Sequence, residues 1–279
     1  MTMTSVPTVR LSDGRLMPRL GLGTYPMDDA TARTAVRGAL GLGYRLIDTA
    51  ASYGNEAGVG QAVADSPVPR EEVFLVTKLR GARHGFEEAL RGFEESRAAL
   101  GVGYVDLYLI HWPLPCRRKY VDAWRALIEL RERGLARSIG VSNFTPAMIE
   151  RLVAETGVRP VVNQIEMHPS FTQEATHIWH ADHGIVTMSY SPFGRGTGGT
   201  RIPEVVRIAE AHDRTPAQIV LRWHVQSGAV PIPKSSCEER MAENIDVFGF
   251  ELSGEEMARI DAQDSGDRQQ GDPDVHEEF

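Results

Sequence analysis

The chain is predicted to fold as a (β/α)8 barrel, an α/β architecture of eight parallel strands inside a ring of helices. Three observations lead there. Short apolar runs recur eight times along the 279 residues, each followed by at least one segment of helical periodicity. The runs are apolar at successive positions, as strands covered on both faces are. No linker divides the chain, so residues 1–279 are read as one domain, and α/β barrels of roughly 250 residues commonly form one. An open doubly wound sheet is the alternative, but it would need edge strands that are polar on one side.

The elements follow in order. TVRLSDGRLMPRLGLG holds two short extended pieces around Asp13-Gly14, a dipeptide suited to a tight turn, and reads as an N-terminal β-hairpin lid. GLGTY, RLIDTA, VFLVTKL, VDLYLIHWP, ARSIGVSNF, VVNQIEMHP, GIVTMSYSPF and AVPIPKS are the eight strand-like runs. Between them lie helical patterns such as ATARTAVRGALGLG, FEEALRGFEESRAALG and YVDAWRALIELRERG; PEVVRIAEAHD and TPAQIVLRWHVQSG both precede the last run. EERMAENIDVF follows the last run and completes the series, and ELSGEEMARIDAQ adds an extra C-terminal helix that starts at Ser253 with Glu256 at capping-box spacing. DSGDRQQGDPDVHEEF is a polar tail that either closes over the barrel mouth or is disordered.

Composition narrows the function. Hydrophobic residues at 42% and charged residues at 24% describe an ordinary soluble protein. MTMTSVPTVRL carries no targeting pattern and no run of about 18 apolar residues occurs, so a cytoplasmic location is expected. Thirty basic against thirty-eight acidic residues, a net charge of -8, argue against nucleic acid or membrane as partner. Cys116 and Cys237 are too few for a disulfide framework or a thiolate metal site. Nothing requires more than a monomer acting on a small molecule.

Four polar residues stand where separate strands give way to loops: Asp48, Tyr53, Lys78 and His111. A parallel barrel gathers such ends at one mouth, where barrel enzymes place their catalysts. A free phenol titrates near ~10 and is a slow acid at neutral pH. A neighbouring ammonium favours the phenolate, and a carboxylate keeps that ammonium charged. Tyr53 is thus read as general acid, Lys78 as its tuner, Asp48 as the lysine's partner and His111 as orienter of a carbonyl oxygen. Each has a plainer use: Asp48 as a cap, Tyr53 as an interface aromatic, His111 as a core histidine.

LIDTAxxYGNE, VTKL, LIHWP, GVSNF, NQIE, YSP and IPKS…ER..EN, in that order from about residue 6 to about residue 265, resemble the aldo-keto reductases, and among them the bacterial 2,5-diketo-D-gluconate reductases. The resemblance implies a (β/α)8 barrel that binds extended NADPH and passes hydride to an aldehyde or ketone, with Asp48, Tyr53, Lys78 and His111 as the catalytic set. It further implies that Ser142, Asn143 and Gln164 hold the nicotinamide carboxamide and that Tyr190 stacks beneath the ring. Ser191, Phe193 and Gly194 would follow the pyrophosphate. Lys234, Ser235 and Arg240 would grip the 2'-phosphate of NADPH/NADP+, with Glu243 and Asn244 near the adenine. Tyr190 stands where bacterial relatives often carry tryptophan.

The residues themselves favour NADPH over NADH. Lys234 ends a strand, Ser236 and Glu239 fit a capping box, and Arg240 lies in the first turns of that helix, which makes a compact anion site in an acidic protein. Two other motifs are set aside. Gly194, Gly196 and Gly199 satisfy G-x-G-x-x-G but do not open the next helix directly, so a loop over the pyrophosphate explains them better. His177, His180 and His183 could line a helix as metal ligands, but hydride transfer needs none. A barrel hydrolase or lyase using Lys78 as a Schiff base is the competing class, and a non-catalytic barrel the third. Tyr25, Trp112 and Phe193 are candidate pocket walls, suited to an apolar or sugar-like carbonyl compound. The short loop after Trp112 and the short tail are expected to leave the mouth open and specificity broad.

Overall fold

The computed structural model describes residues 6–195 and 198–277. The first two strands, β1 (Thr8–Arg10) and β2 (Leu16–Pro18), pair antiparallel, with Gly14 at φ 89° in the turn. The hairpin lies against the start of a later strand: Ser138 Oγ donates to Asp13 Oδ2 (2.6 Å) and Arg15 Nε to the carbonyl of Arg137 (3.0 Å). Leu11 and Met17 are buried there with Leu46, Leu107 and Met188. The lid therefore closes the amino-terminal end of the barrel, away from the strand ends that carry the polar residues.

Eight strands form one parallel sheet in chain order: β3 (Leu22–Gly23), β4 (Leu46–Asp48), β5 (Phe74–Leu79), β6 (Val105–Ile110), β7 (Ala136–Ser142), β8 (Val162–Glu166), β9 (Val186–Tyr190) and β10 (Val230–Pro231). The last returns to the first, since the N–H groups of Gly21 and Gly23 donate to the carbonyls of Pro231 and Pro233, each at 3.1 Å. The seam needs a glycine: a Cβ on Gly23 would stand 2.9 Å from the carbonyl oxygen of Ile232. Leu46, Val76, Leu107, Val162 and Val230 fill the interior. Ile47, Leu75, Tyr108 and Ile139 point outward onto the helices, meeting Val36, Val59, Phe93 and Leu127. Burial on both faces is why the strands read as unbroken apolar runs.

The helices are α1 (Asp29–Gly41), α2 (Glu56–Asp65), α3 (Phe86–Leu100), α4 (Tyr120–Glu132), α5 (Pro146–Thr156), α6 (Glu174–Asp182), α7 (Pro203–His212), α8 (Pro216–Gln226), α9 (Glu238–Ile245) and α10 (Gly254–Asp261). Asp28 and Thr145 cap α1 and α5 through their side chains, and the Ser253/Glu256 capping box of α10 forms as expected. The Ser236/Glu239 box does not. Helix α9 starts from Cys237 without a side-chain cap; the Ser235 hydroxyl accepts the Cys237 N–H (3.2 Å), and Glu239 takes the Cys237 thiol instead (2.8 Å). No helix among the described residues is long and apolar enough to cross a membrane.

The histidines spaced by three are spent on protein partners rather than gathered for a metal. Thr187 Oγ1 lies 2.8 Å from His177 Nδ1 and 2.9 Å from His180 Nδ1, His177 Nε2 faces the carbonyl of Ser227 (2.7 Å), and His183 Nδ1 faces that of Trp179 (2.7 Å). Burial, aided by His177 and His183, pushes His180 down to about 3, and burial does the same to His224 on α8. An unfolded chain protonates these rings near ~6.5, the folded one only near the depressed values, so the unfolded state binds more protons between. Stability from this source is present above about pH 6.5 and is lost as pH falls toward 3. Thermal unfolding followed from pH ~7 to ~4.5 should show a fall of roughly 2 kcal/mol per histidine, flattened in His180→Gln.

Candidate active site

The carboxyl ends of the strands bring the polar residues together. Asp48 closes β4, and the chain then turns through a single helical turn, Ala51–Tyr53, which aims Tyr53 back over the barrel. Asn55 fixes that turn: its Oδ1 accepts from Thr49 Oγ1 (2.7 Å) while its Nδ2 donates to the carbonyls of Thr24 (3.1 Å) and Met27 (2.8 Å). Lys78, one residue from the end of β5, is fully buried.

Three acceptors surround the Lys78 ammonium: Asp48 Oδ1 at 2.6 Å, the Thr49 carbonyl at 2.9 Å and the Tyr53 hydroxyl at 3.2 Å. An ammonium has three protons, so all are used. Burial pulls Lys78 toward the neutral amine, but Asp48 and Tyr53 together outweigh it and its pKa is raised. A lysine held this firmly as a cation has no lone pair for a Schiff base, which argues against the lyase reading. The other Asp48 oxygen accepts from Gln164 Nε2 (2.8 Å), so the carboxylate is bonded on both sides in a dry setting. Because the Tyr53 oxygen accepts from Lys78, its own proton is left to point elsewhere, and Tyr53 lines a cleft.

His111, just after β6, stands edge-on to Tyr53 with ring centroids 5.7 Å apart, and its Nδ1 lies 3.1 Å from Ser52 Oγ. When Ser52 donates, the ring proton sits on Nε2, which then serves as a hydrogen-bond donor. Ser52 was not anticipated from sequence, where a serine before a tyrosine carries no signal.

The cleft has a volume of about 510 Å³, within the range of ligand sites. Asp48, Tyr53 and His111 line one part, with Tyr25 and Trp112 beside them; Asn143, Gln164, Tyr190, Ser191, Phe193, Gly194 and Lys234 continue it to the seam of the barrel. Tyr190 donates to Asn143 Oδ1 (2.8 Å), which places a flat ring next to that amide, with the Gln164 amide in the same cleft. Burial raises the Tyr190 phenol far above its ordinary value, so it stays neutral. Ser142 is behind this surface, donating to the Gln164 carbonyl (2.9 Å) and accepting from Asn143 Nδ2 (3.1 Å). Ser235, Arg240, Glu243 and Asn244 lie beyond the cleft on or before α9, with Arg240 exposed, Asn244 buried and Glu243 accepting from the Thr215 hydroxyl at the start of α8. Gly194 has φ 68° and Gly199 N–H donates to the Phe193 carbonyl (2.7 Å); Gly196 lies outside the described residues.

The open mouth expected from the short tail does not form. The tail after α10 is ordered across the mouth, and Gln270, Gly271 and His276 are part of the cleft wall. The His276 ring lies 3.9 Å from that of Trp112. The mouth is therefore not left open on that side. The tail's partners include the Ser170 carbonyl and the Glu166 carboxylate, which receive backbone N–H groups; such bonds leave no mark in a sequence.

Fold and site together define a class, a barrel oxidoreductase that works on carbonyl groups. A model of the aldo/keto reductase family matches residues 19–265. The chain is 46% identical over 277 residues to 2,5-diketo-D-gluconic acid reductase B of a Corynebacterium species, spanning 99% of this chain and 100% of that one. It is 46% identical over 273 residues to methylglyoxal reductase DkgA of Escherichia coli K12, spanning 98% of each. The crystal structure of a Gox0644 mutant in complex with NADPH matches it with a TM-score of 0.94 at 44% identity, covering 98% of this chain and 100% of that one. The chain belongs to the aldo/keto reductase family.

Proposed function

We propose that this protein reduces aldehydes or ketones, keto-sugars among them, to alcohols with NADPH, with Tyr53 as the proton donor. The observation that carries the reading is the Lys78 ammonium between the Asp48 carboxylate (2.6 Å) and the Tyr53 hydroxyl (3.2 Å) at the edge of the cleft. The reading extends to one barrel working as a cytoplasmic monomer.

The residues present fit the cofactor. The Tyr190 ring offers a flat apolar face for a nicotinamide, the amides of Asn143 and Gln164 edge it, and Lys234 is exposed at the far end of the same cleft. Bound there, NADPH supplies hydride to the carbonyl carbon. Asn143, held through Ser142, would orient the carboxamide, and Lys234 with Arg240 would take the 2'-phosphate. His111 would donate to the substrate oxygen and fix which face of the carbonyl meets the cofactor. As negative charge develops on that oxygen, Tyr53 gives up its proton, and the adjacent Lys78 cation stabilises the phenolate left behind. Asp48 and Gln164 hold Lys78 in place and charged.

The test is NADPH absorbance during turnover of a panel of aldehydes, ketones and keto-sugars, with Arg240→Ala beside the wild type. Turnover is expected with NADPH, and Arg240→Ala should weaken NADPH roughly tenfold while leaving NADH nearly unchanged. No turnover across the panel would remove the function; equal losses with both cofactors would remove the phosphate assignment.

A further inference from the structure

Glu166 is the last residue of β8 and only 2% exposed, yet it is absent from the chemistry above. Its two carboxylate oxygens accept the backbone N–H groups of successive tail residues, Gln269 at 2.9 Å and Gln270 at 3.0 Å. The other polar neighbour of these oxygens is His168 Nε2 at 3.2 Å, and no lysine or arginine pairs with Glu166 among the described residues. A buried carboxylate is unfavourable unless hydrogen-bonded, so barrel and tail depend on each other at this point.

What the tail does beyond the clamp is build part of the cleft. Gln270 and Gly271 line it; Asp272 then starts a tight turn, its carbonyl accepting from Val275 (3.1 Å) and His276 (2.7 Å), and His276 reaches Trp112. The turn is so close that a Cβ on Gly271 would lie 2.2 Å from His276 Nδ1. Packing holds part of the tail, with Pro273 buried and Arg268 over the Phe171 ring (4.9 Å). A cavity of about 100 Å³ lies at Glu166 and Gln173 on the barrel side and Arg268 and Pro273 on the tail side, so the tail bridges a gap here. Before the clamp, Ser265 and Asp267 donate to the Ser170 carbonyl (3.2 and 3.1 Å). Between those anchors and the wall, the hydrogen bonds that place residues 269 and 270 are those of Glu166, helped by the Gln269 side chain, which accepts from Arg195 N–H; beyond the wall, Glu277 hydrogen-bonds Cys116.

We propose that Glu166 is a positioning residue for the carbonyl site: its carboxylate fixes residues 269 and 270 so that Gln270, Gly271 and His276 wall the mouth, and it thereby sets which carbonyl compounds are admitted. The proposal rests on the cleft being the carbonyl site. Glu166→Gln presents an N–H where a tail N–H needs an acceptor, so one bond is lost and the other loses its charge assistance.

The experiment uses the full-length chain. Trypsin cleavage after Arg268 should be about tenfold or more faster in Glu166→Gln, because opening of the tail exposes that bond. NADPH affinity is read by fluorescence in each variant and the aldehydes are compared at saturating NADPH, because Glu166 pairs with Tyr190 in the sheet and Gln269 holds Arg195 beside Gly194. The ratio of kcat/KM for a bulky aromatic aldehyde to that for a small aliphatic one should rise several-fold, carried by KM, as the His276 wall withdraws from Trp112. Glu166→Asp, which keeps the charge on a shorter arm, should give an intermediate shift, and it serves also if the amide variant does not fold. His276→Ala should shift the ratio in the same sense and add little on top of Glu166→Gln, because both act on one wall. Unchanged trypsin protection, equal effects on both aldehydes, or additive effects in the double variant would overturn the proposal. Failure of the wild type to reduce any carbonyl would instead strike the functional reading, while the trypsin result would still report on the clamp.

Discussion

Tyr53→Phe is expected to lower kcat by on the order of 10²- to 10⁴-fold while NADPH binds as in the wild type. The expectation follows from what the hydroxyl does and does not touch. It accepts from Lys78 at 3.2 Å and edges the cleft, while the proposed cofactor side is formed by Asn143, Tyr190 and the chain beyond it. The phenyl ring keeps its place, since its packing is against Tyr25, 5.0 Å between centroids, and the edge of His111. Removal of one oxygen therefore deletes the proposed proton donor and leaves the walls. Stopped-flow measurement with saturating NADPH and a reactive aldehyde reads the hydride-transfer step directly, and fluorescence titration reads binding. A kcat within a factor of about three of wild type would mean that the proton comes from elsewhere, with His111 the next candidate.

The parts of this site that could be read from sequence are those in which a side chain breaks a pattern. Asp48 and Lys78 interrupt apolar strands that are otherwise buried on both faces, so a charge there calls for a reason. The barrel followed from the same runs, and all eight became parallel strands in the expected order. What could not be read depends on backbone groups or on a choice among equal partners. Glu166 sits in the same NQIE segment as Gln164, but its partners are the amide hydrogens of residues 269 and 270, which any sequence supplies. The tail is rich in Asp, Gly and Gln and has little apolar surface, the composition of a disordered end, and those bonds are part of what holds it against the barrel. Ser236 and Glu239 have capping-box spacing, yet Ser235 and Cys237 occupy the helix start, because spacing alone cannot say which of two adjacent serines turns inward. The apolar tail contact of His276 on Trp112 joins residues far apart in the chain, beyond the reach of local pattern.

Lys78→Met is expected to cost both activity and stability, and a double variant separates the two. The substitution fills similar volume but leaves the Asp48 carboxylate buried with Gln164 as its one remaining side-chain partner among the described residues. Breaking a buried pair by deleting one member typically costs about 3–5 kcal/mol, because the surviving charge is stranded. Asp48→Asn strands the opposite charge, but less severely, since the Lys78 ammonium retains the Thr49 carbonyl and the Tyr53 oxygen as acceptors. In Asp48→Asn/Lys78→Met neither charge remains, and the asparagine can still accept from Gln164. Thermal unfolding should therefore show the double variant recovering most of the stability lost in Lys78→Met, since replacement of a buried ion pair by groups of similar shape is often neutral. Turnover should not recover. The ammonium is hydrogen-bonded to the phenol oxygen, and without it the phenolate loses that cation as the proton leaves, so kcat should remain depressed by on the order of 10²-fold or more in both. Recovery of both properties together would show that the pair serves only to hold the barrel mouth in shape. Recovery of stability alone would place the lysine in the chemistry, where its three hydrogen bonds direct it at Tyr53.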